Sequence, residues 1–226
     1  MQILIQTQMQ RTECCGSGFY RALMNHLVDK IQKSSQETFI IVVDGLIGAG
    51  KSTTIQLIKQ DLGQIIPEVN VKCVEENVDT EGKELLKLYL DQPFQYSMMF
   101  QTWIVSNKMK QFENTIDKLS GKTVVLVDRH IKSDIEIFAT MCHKNGYLTN
   151  DQKIEYDKFV SQLTNHSKIM KPDICVYVKI PASVALERIK KRNRQGEENY
   201  TIDYIQKLEK MYDELYLQGA YIFNNE

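Results

Sequence analysis

The sequence has little of what marks a membrane, secreted or nucleic-acid-binding chain. No apolar run reaches the length needed to cross a bilayer. The first residues carry no basic region followed by an apolar core and a cleavage site, so no targeting segment is expected. Basic and acidic side chains almost balance, 28 against 29 for a formal net charge of -1, which gives no reason to expect a nucleic-acid partner. Cysteine is sparse: Cys14, Cys15, Cys73, Cys142 and Cys175 are odd in number and lack ligand spacing, a pattern that favours a reducing compartment over a disulfide framework. Cys73 and Cys175 fall in strand-like runs and read as small buried hydrophobes. These absences lead to the expectation of a soluble, cytoplasmic protein without nucleic-acid or membrane partners. With 226 residues, 42 % of them hydrophobic, the chain can build one domain around a sizeable core.

The most informative stretch that is present runs FIIVVDGLIGAGKSTTIQLI, from Phe39 to Ile58. A hydrophobic strand empties into a glycine-rich turn, and a periodic helix begins near Lys51. Gly45, Gly50, Lys51 and Ser52 fill the pattern G-x-x-x-x-G-K-[ST], with Gly48, Ala49 and Thr53 in and beside the loop. Glycines let backbone amides wrap an anion, and the helix N-terminus adds positive potential. The lysine reaches the outer phosphates, and the serine hydroxyl can ligate Mg2+. This pattern implies a bound nucleoside triphosphate.

Residues 1–37 are the least informative; YRALMNHLVDKI is compatible with a short amphipathic helix, and the segment is either packed on the domain or mostly disordered. Beyond it, strand-like runs (39–43, 71–75, 123–127, 174–180 and 220–223) alternate with helix-like segments (51–63, 83–90, 96–119, 131–142, 153–169, 183–192 and 201–217). Such alternation calls for a mostly parallel sheet with helices on both faces, whose ligands collect at the carboxyl ends of the strands.

Three strand ends carry acids. Asp44 borders the glycine loop and is expected to bond that loop or to act in the site. Asp128 occupies the usual position of an acid that orders Mg2+ in a phosphate-loop protein, and Arg129 beside it can neutralise a transferred phosphoryl group. Glu75 and Glu76 follow the second strand, expected to lie beside the glycine loop; one of them is a candidate base for an alcohol acceptor. The basic run LERIKKRNRQGEENY, dense in arginine where Asn193, Gln195 and Gly196 make a poor helix, reads as a lid that closes over phosphates. In YSMMFQTWIVSNKMKQF, Met98, Met99, Phe100, Trp103 and Met109 suit a core, while the Gln101 amide suits a nucleobase edge; Phe138 could stack on the same base.

Read together, GLIGAGKST, the Glu76–Val78 triplet, F-Q-T-W at Phe100–Trp103, D-R-H at Asp128–His130 and E-R-I-K-K-R-N-R…E at Glu187–Glu197 resemble the deoxynucleoside kinase family over about residues 39–223. The triplet D-R-H is similar to that of herpesvirus thymidine kinases. The resemblance implies a three-layer α/β P-loop kinase fold: a parallel, five-stranded sheet with helices on both faces and an arginine-rich lid. Residues 38–226 would form this domain, with 1–37 as an extension. It also implies a homodimer that transfers the γ-phosphoryl of ATP, with Mg2+, to the 5'-hydroxyl of a deoxynucleoside.

Carried over, the resemblance makes Glu76, Arg129 and Lys51 catalytic and places Gly45, Gly48, Ala49, Gly50, Lys51, Ser52, Thr53, Arg192 and Arg194 on the ATP. Ser52 and Asp128 would hold the metal. Glu76, Tyr89, Gln101, Lys108, Arg129, Asp134, Phe138 and Glu197 would contact the deoxynucleoside. Three positions depart from the family pattern: Asn77 replaces a proline, Glu81 an aromatic, and Leu90 a tyrosine for which Tyr89 would substitute. The charges Lys108 and Asp134 resemble the pair of the deoxycytidine and deoxyguanosine kinases, so purine deoxynucleosides or deoxycytidine are expected ahead of thymidine. Rival expectations are a thymidine-preferring or broad enzyme, a thymidylate-kinase-type monophosphate kinase, and a nucleotide-binding regulator without kinase chemistry.

Overall fold

Three runs of apolar, mostly β-branched residues set the centre of the fold. In the computed structural model, which describes residues 2–6, 18–75, 80–194, 197 and 199–217, these runs become β2 (Thr38–Gly45), β4 (Thr123–Asp128) and β5 (Ile174–Lys179). All three are buried along almost their whole length, as strands covered on both faces must be. The shorter, half-polar β3 (Asn70–Val74) lies at one edge and β1 (Gln2–Gln6) at the other. All pairings are parallel, in the order β1-β5-β2-β4-β3.

Four of the five strands expected from the sequence are therefore present, and the fifth, at 220–223, lies outside the described residues. The other edge strand comes instead from Gln2–Gln6, within a stretch whose pattern gave no clear strand signal. It is followed by α1 (Gly18–Lys33), amphipathic as expected, which buries Leu23, Met24, Leu27 and Ile31. Complete burial of Leu27 and Ile31 contributes about 2 kcal/mol each. The Tyr20 hydroxyl fastens this helix to Asp61 at 2.9 Å.

Strand order corrects one expectation. β3 does not neighbour β2, because β4 is inserted between them. From β2 the chain passes through α2 (Lys51–Ile65) out to β3; from β4 it crosses to β5 on the opposite side. The connections leaving the adjacent strands β2 and β4 thus diverge, and in doubly wound sheets the ligand crevice opens at such a point. Val43 lies opposite Asp128 in the register, so the glycine loop and the acid ending β4 are direct neighbours.

Further helices are α3 (Thr80–Asp91), α4 (Pro93–Ile116), α7 (Asn150–Thr164), α8 (Ala182–Arg192) and α9 (Ile202–Leu217). Pro93 opens α4, where its missing N–H costs nothing. The segment after β4 departs from the simple helix expected: a turn of α5 (Ile131–Ser133) leads through a π-helical stretch (Asp134–Ala139) into α6 (Thr140–Lys144). The wider turn carries both Asp134 and Phe138, and such bulges often occur at functional sites. Cys175 is buried as expected, whereas Cys73 on the edge strand is only half-buried. In the same way Phe100 and Met109 join the core while Met99 is exposed. Among the described residues no helix is long and apolar enough to cross a membrane.

Candidate active site

The glycine loop is held by close backbone approaches. A side chain on Gly45 would collide with the carbonyl of Val178 on β5, and one on Gly48 would stand 2.7 Å from the Ala185 carbonyl of α8. Both residues also have positive φ, so glycine is required on two counts. Gly50 caps α2 in the left-handed region, and no side chain closes the cap. The first amides of α2 and the positive end of its dipole are therefore available to an anion. The buried Lys51 ammonium arches over the loop to the carbonyls of Gly45 and Leu46, both at 3.2 Å. Ala49 is buried beneath the loop, and Thr53 is exposed in the first turn of α2.

Two acids end the adjacent strands and differ in their partners. Asp44 is completely buried, and its carboxylate accepts from the Gly45 amide at 2.7 Å, the His130 amide at 3.0 Å, and the Ser133 and Tyr216 hydroxyls at 2.6 Å each. It therefore does more than bond its own loop, tying the end of β2 to the turn after β4 and to α9. Asp128 accepts the Ser52 hydroxyl on Oδ2 at 2.7 Å, while its Oδ1 is buried and finds no hydrogen-bond partner among the described residues. A buried carboxylate oxygen beside a phosphate-loop serine is a hard, anionic donor of the kind Mg2+ requires. The described residues contain no group of three or more His, Cys, Asp or Glu side chains placed to hold a metal ion, so the fit to Mg2+ rests on Ser52 and Asp128, with phosphate and water left to complete the shell.

Arg129 and His130 follow at the turn. Arg129 has φ 66°, rare outside glycine, and is almost fully buried. Its guanidinium donates to the Tyr212 hydroxyl at 2.7 Å, lies 4.6 Å from the Phe138 ring centre and has Nε 3.9 Å from Asp134 Oδ1. Asp134 pairs with Lys108 at 2.6 Å, both side chains being buried, and Lys108 also reaches the Arg129 carbonyl at 3.4 Å. The structure thus joins Lys108, Arg129, Asp134 and Phe138 in one cluster. His130 caps α5, its Nδ1 accepting from the Lys132 amide at 2.8 Å. Burial lowers its pKa to about 4 despite the opposing pull of Asp44, so the ring is neutral at pH 7.

Gln101 and Tyr89 meet at a sulfur atom. The Gln101 amide and the Tyr89 hydroxyl both lie 3.4 Å from Cys142 Sγ, and Tyr89 stacks on Phe100 with ring centres 4.8 Å apart. Burial raises the Cys142 thiol pKa, which keeps it protonated.

In the basic run, Arg192 ends α8 and forms a two-pronged ion pair with Glu197 at 2.8 and 2.5 Å. Arg194 is exposed beyond the left-handed Asn193. Arg188, one turn earlier on α8, donates to the Ala49 carbonyl at 3.2 Å. Sequence reasoning counted Arg188 in the basic run without placing it in the site; its spacing of four from Arg192 puts both on one helix face. Glu76 and Asn77 lie outside the described residues, as do Gln195, Gly196 and Glu198 of the basic run. Glu75, at the end of β3, is exposed.

Comparison with known proteins shows the family. The sequence profile of deoxynucleoside kinases matches residues 41–223. The chain is 30 % identical to the deoxyadenosine kinase of Dictyostelium discoideum over 189 residues, which cover 81 % of this chain and 69 % of the relative. It is also 30 % identical to the deoxyguanosine kinase of Bacillus subtilis over 169 residues, 74 % of this chain and 73 % of the relative. A third relative, 27 % identical over 201 residues (82 % of this chain and 57 % of the relative), is the bovine mitochondrial NADH dehydrogenase 1 alpha subcomplex subunit 10. With the profile covering most of the chain, the protein belongs to the deoxynucleoside kinase family, a family of phosphotransferases.

Proposed function

We propose that the protein transfers the γ-phosphoryl group of ATP to the 5'-hydroxyl of a deoxyribonucleoside, with purine deoxynucleosides or deoxycytidine ahead of thymidine. The observation that carries this reading is the junction of β2 and β4, where Ser52 of the glycine loop meets Asp128 and leaves one carboxylate oxygen without a partner among the described residues. The loop amides, Gly45, Gly48, Ala49, Gly50, Lys51 and Thr53 hold the triphosphate, and Ser52 and Asp128 hold Mg2+. When bound, the metal offsets negative charge on the phosphates. Arg129 counters the charge of the transferred group, and Arg192 and Arg194 close over the donor.

Glu76 accepts the proton of the 5'-hydroxyl as that oxygen bonds to the γ-phosphorus and the bond to the β,γ-bridging oxygen breaks, releasing ADP. Gln101 and Phe138 hold the base, Tyr89 and Glu197 the sugar. Lys108 and Asp134 close the end of the pocket and disfavour the thymine methyl. The protein acts in the cytoplasm as a homodimer in nucleotide salvage.

A steady-state panel of the four deoxynucleosides and their monophosphates, each with ATP and Mg2+, tests this reading. Phosphorylation of deoxynucleosides is expected. Turnover of the monophosphates alone would replace it with a monophosphate kinase of the thymidylate kinase type. ATP binding without acceptor-dependent ADP release would favour a regulator. Glu76→Gln should abolish most turnover while preserving ATP binding; near-normal turnover would point to Glu75. For base choice, the pair must be removed together, because truncating Asp134 alone strands a buried Lys108 charge. Lys108→Met with Asp134→Ala should shift preference towards thymidine, and an unchanged four-base profile would reject the pair as selector.

A further inference from the structure

Helix α9, the last among the described residues, carries three residues of a polar and aromatic network, Tyr212 and Tyr216 buried and Asp213 part-buried. Tyr212 is fully buried, and its hydroxyl accepts from Arg129 Nη1 at 2.7 Å across 83 residues of sequence. Its ring is fixed on several sides: Tyr177 stacks on it at 6.0 Å and Tyr216 at 6.2 Å, while Phe138 meets it edge-on at 6.5 Å. Tyr216, one turn further along the same helix, donates to Asp44 at 2.6 Å. Next to it Asp213 accepts from the Tyr177 hydroxyl at 3.0 Å and from Lys179 at 2.7 Å. The helix is thereby bonded to the ends of β2 and β5 as well as to the turn after β4.

An arginine has several rotatable bonds, and its charge acts on a phosphoryl group only from a particular direction. Here Phe138 lies against the guanidinium, Asp134 lies beyond Nε, and the positive φ of Arg129 fixes the root of the side chain. Of these contacts, the one to the hydroxyl of Tyr212 is a short, charge-assisted hydrogen bond. We infer that Tyr212 is a positioning residue for Arg129, so that α9 sets the aim of the phosphoryl-stabilising cation. The inference rests on the proposed kinase reading.

The test is Tyr212→Phe, which keeps the stacked ring and removes only the hydroxyl, measured alone and combined with Arg129→Lys. Lysine keeps the charge but lacks the nitrogen that Tyr212 receives. Tyr212→Phe alone should lower kcat about tenfold, the scale of a hydrogen bond to a charged group, with KM for ATP and deoxynucleoside within about twofold. In the Arg129→Lys background the same change should cost less than about twofold. In the free protein, 15N NMR should show restricted rotation of the Arg129 guanidinium in the wild type and averaging in Tyr212→Phe. An unchanged kcat, a loss that multiplies in full with Arg129→Lys, or a guanidinium that rotates equally in both proteins would overturn the assignment. Failure of Tyr212→Phe to fold would also overturn it, by making the hydroxyl a structural group. Failure of the kinase reading looks different: the wild type itself would phosphorylate no deoxynucleoside.

Discussion

The ends of β2 and β4 lie side by side, each finishing in an aspartate after a run of buried apolar residues. At the β2 end, four donors converge on Asp44, one from its own loop, two from the turn after β4 and one from α9. At the β4 end, Asp128 receives one hydroxyl and keeps an oxygen in reserve. A carboxylate has limited capacity to accept, and one already occupied by the protein has little left for a metal or a substrate. Asp44 is thus filled as a structural tie, whereas Asp128 keeps room for the metal of the proposed function, although in sequence they look alike.

Asp44→Asn gives the largest effect expected of this comparison. An amide cannot accept from all four donors, and a buried network left partly unsatisfied costs roughly 3 kcal/mol or more. For a chain of this size that lowers the melting temperature by about 10 °C. Asp128→Asn should instead melt within about 2 °C of the wild type yet lose about a hundredfold in turnover, with partial recovery at raised Mg2+. If Asp44→Asn melted normally while Asp128→Asn unfolded, the assignment of roles would be reversed. Calorimetry alongside activity on the same preparations separates the two outcomes.

A smaller effect concerns the turn that both acids share. His130 is held neutral, with its pKa lowered to about 4 from an ordinary value of 6.5, so the unfolded chain takes up a proton at higher pH than the folded one. Stability should therefore be full above about pH 6.5 and fall as the pH drops towards 4, by at most about 3 kcal/mol from this group. His130→Asn keeps a side-chain acceptor at the cap, as Asn does well, and should flatten that part of the profile. An equally steep decline in the variant would assign the acid sensitivity to other groups. The smallest effect expected is for Cys142→Ala, which removes the sulfur shared by Gln101 and Tyr89 and should raise KM for the deoxynucleoside about threefold without changing KM for ATP. Kinetics with each substrate varied in turn check this; equal changes in both KM values would place Cys142 outside the acceptor pocket.

How far the site could be read in the sequence followed how locally each part is encoded. The glycine loop is contiguous from Gly45 to Ser52, and its turn, its cap and its lysine work within that span. Four strands were legible because continuous apolar runs report burial on both faces. Burial does not report neighbours, so the insertion of β4 between β2 and β3 was not legible, nor was the pairing of Gln2–Gln6 with β5. Tyr212 is 83 residues from Arg129, and Arg188 is 139 from Ala49. Their contacts leave no periodic trace in either segment. The π-helical turn at Asp134–Ala139 was hidden as well, because one added residue in a helix changes the apolar spacing too little to announce itself.

By itself the sequence determined that this protein has a glycine loop of the phosphate-binding pattern on a parallel α/β sheet and the residue types a phosphoryl-transfer site would need, since those depend on short-range spacing and on the length of apolar runs. Only the tertiary structure decided which strand-end acid is saturated and which keeps an oxygen unpaired, and which tyrosine holds Arg129. The reason is physical: a hydrogen-bonding group has few places to fill, and the partners that fill them come from parts of the chain brought together only by folding.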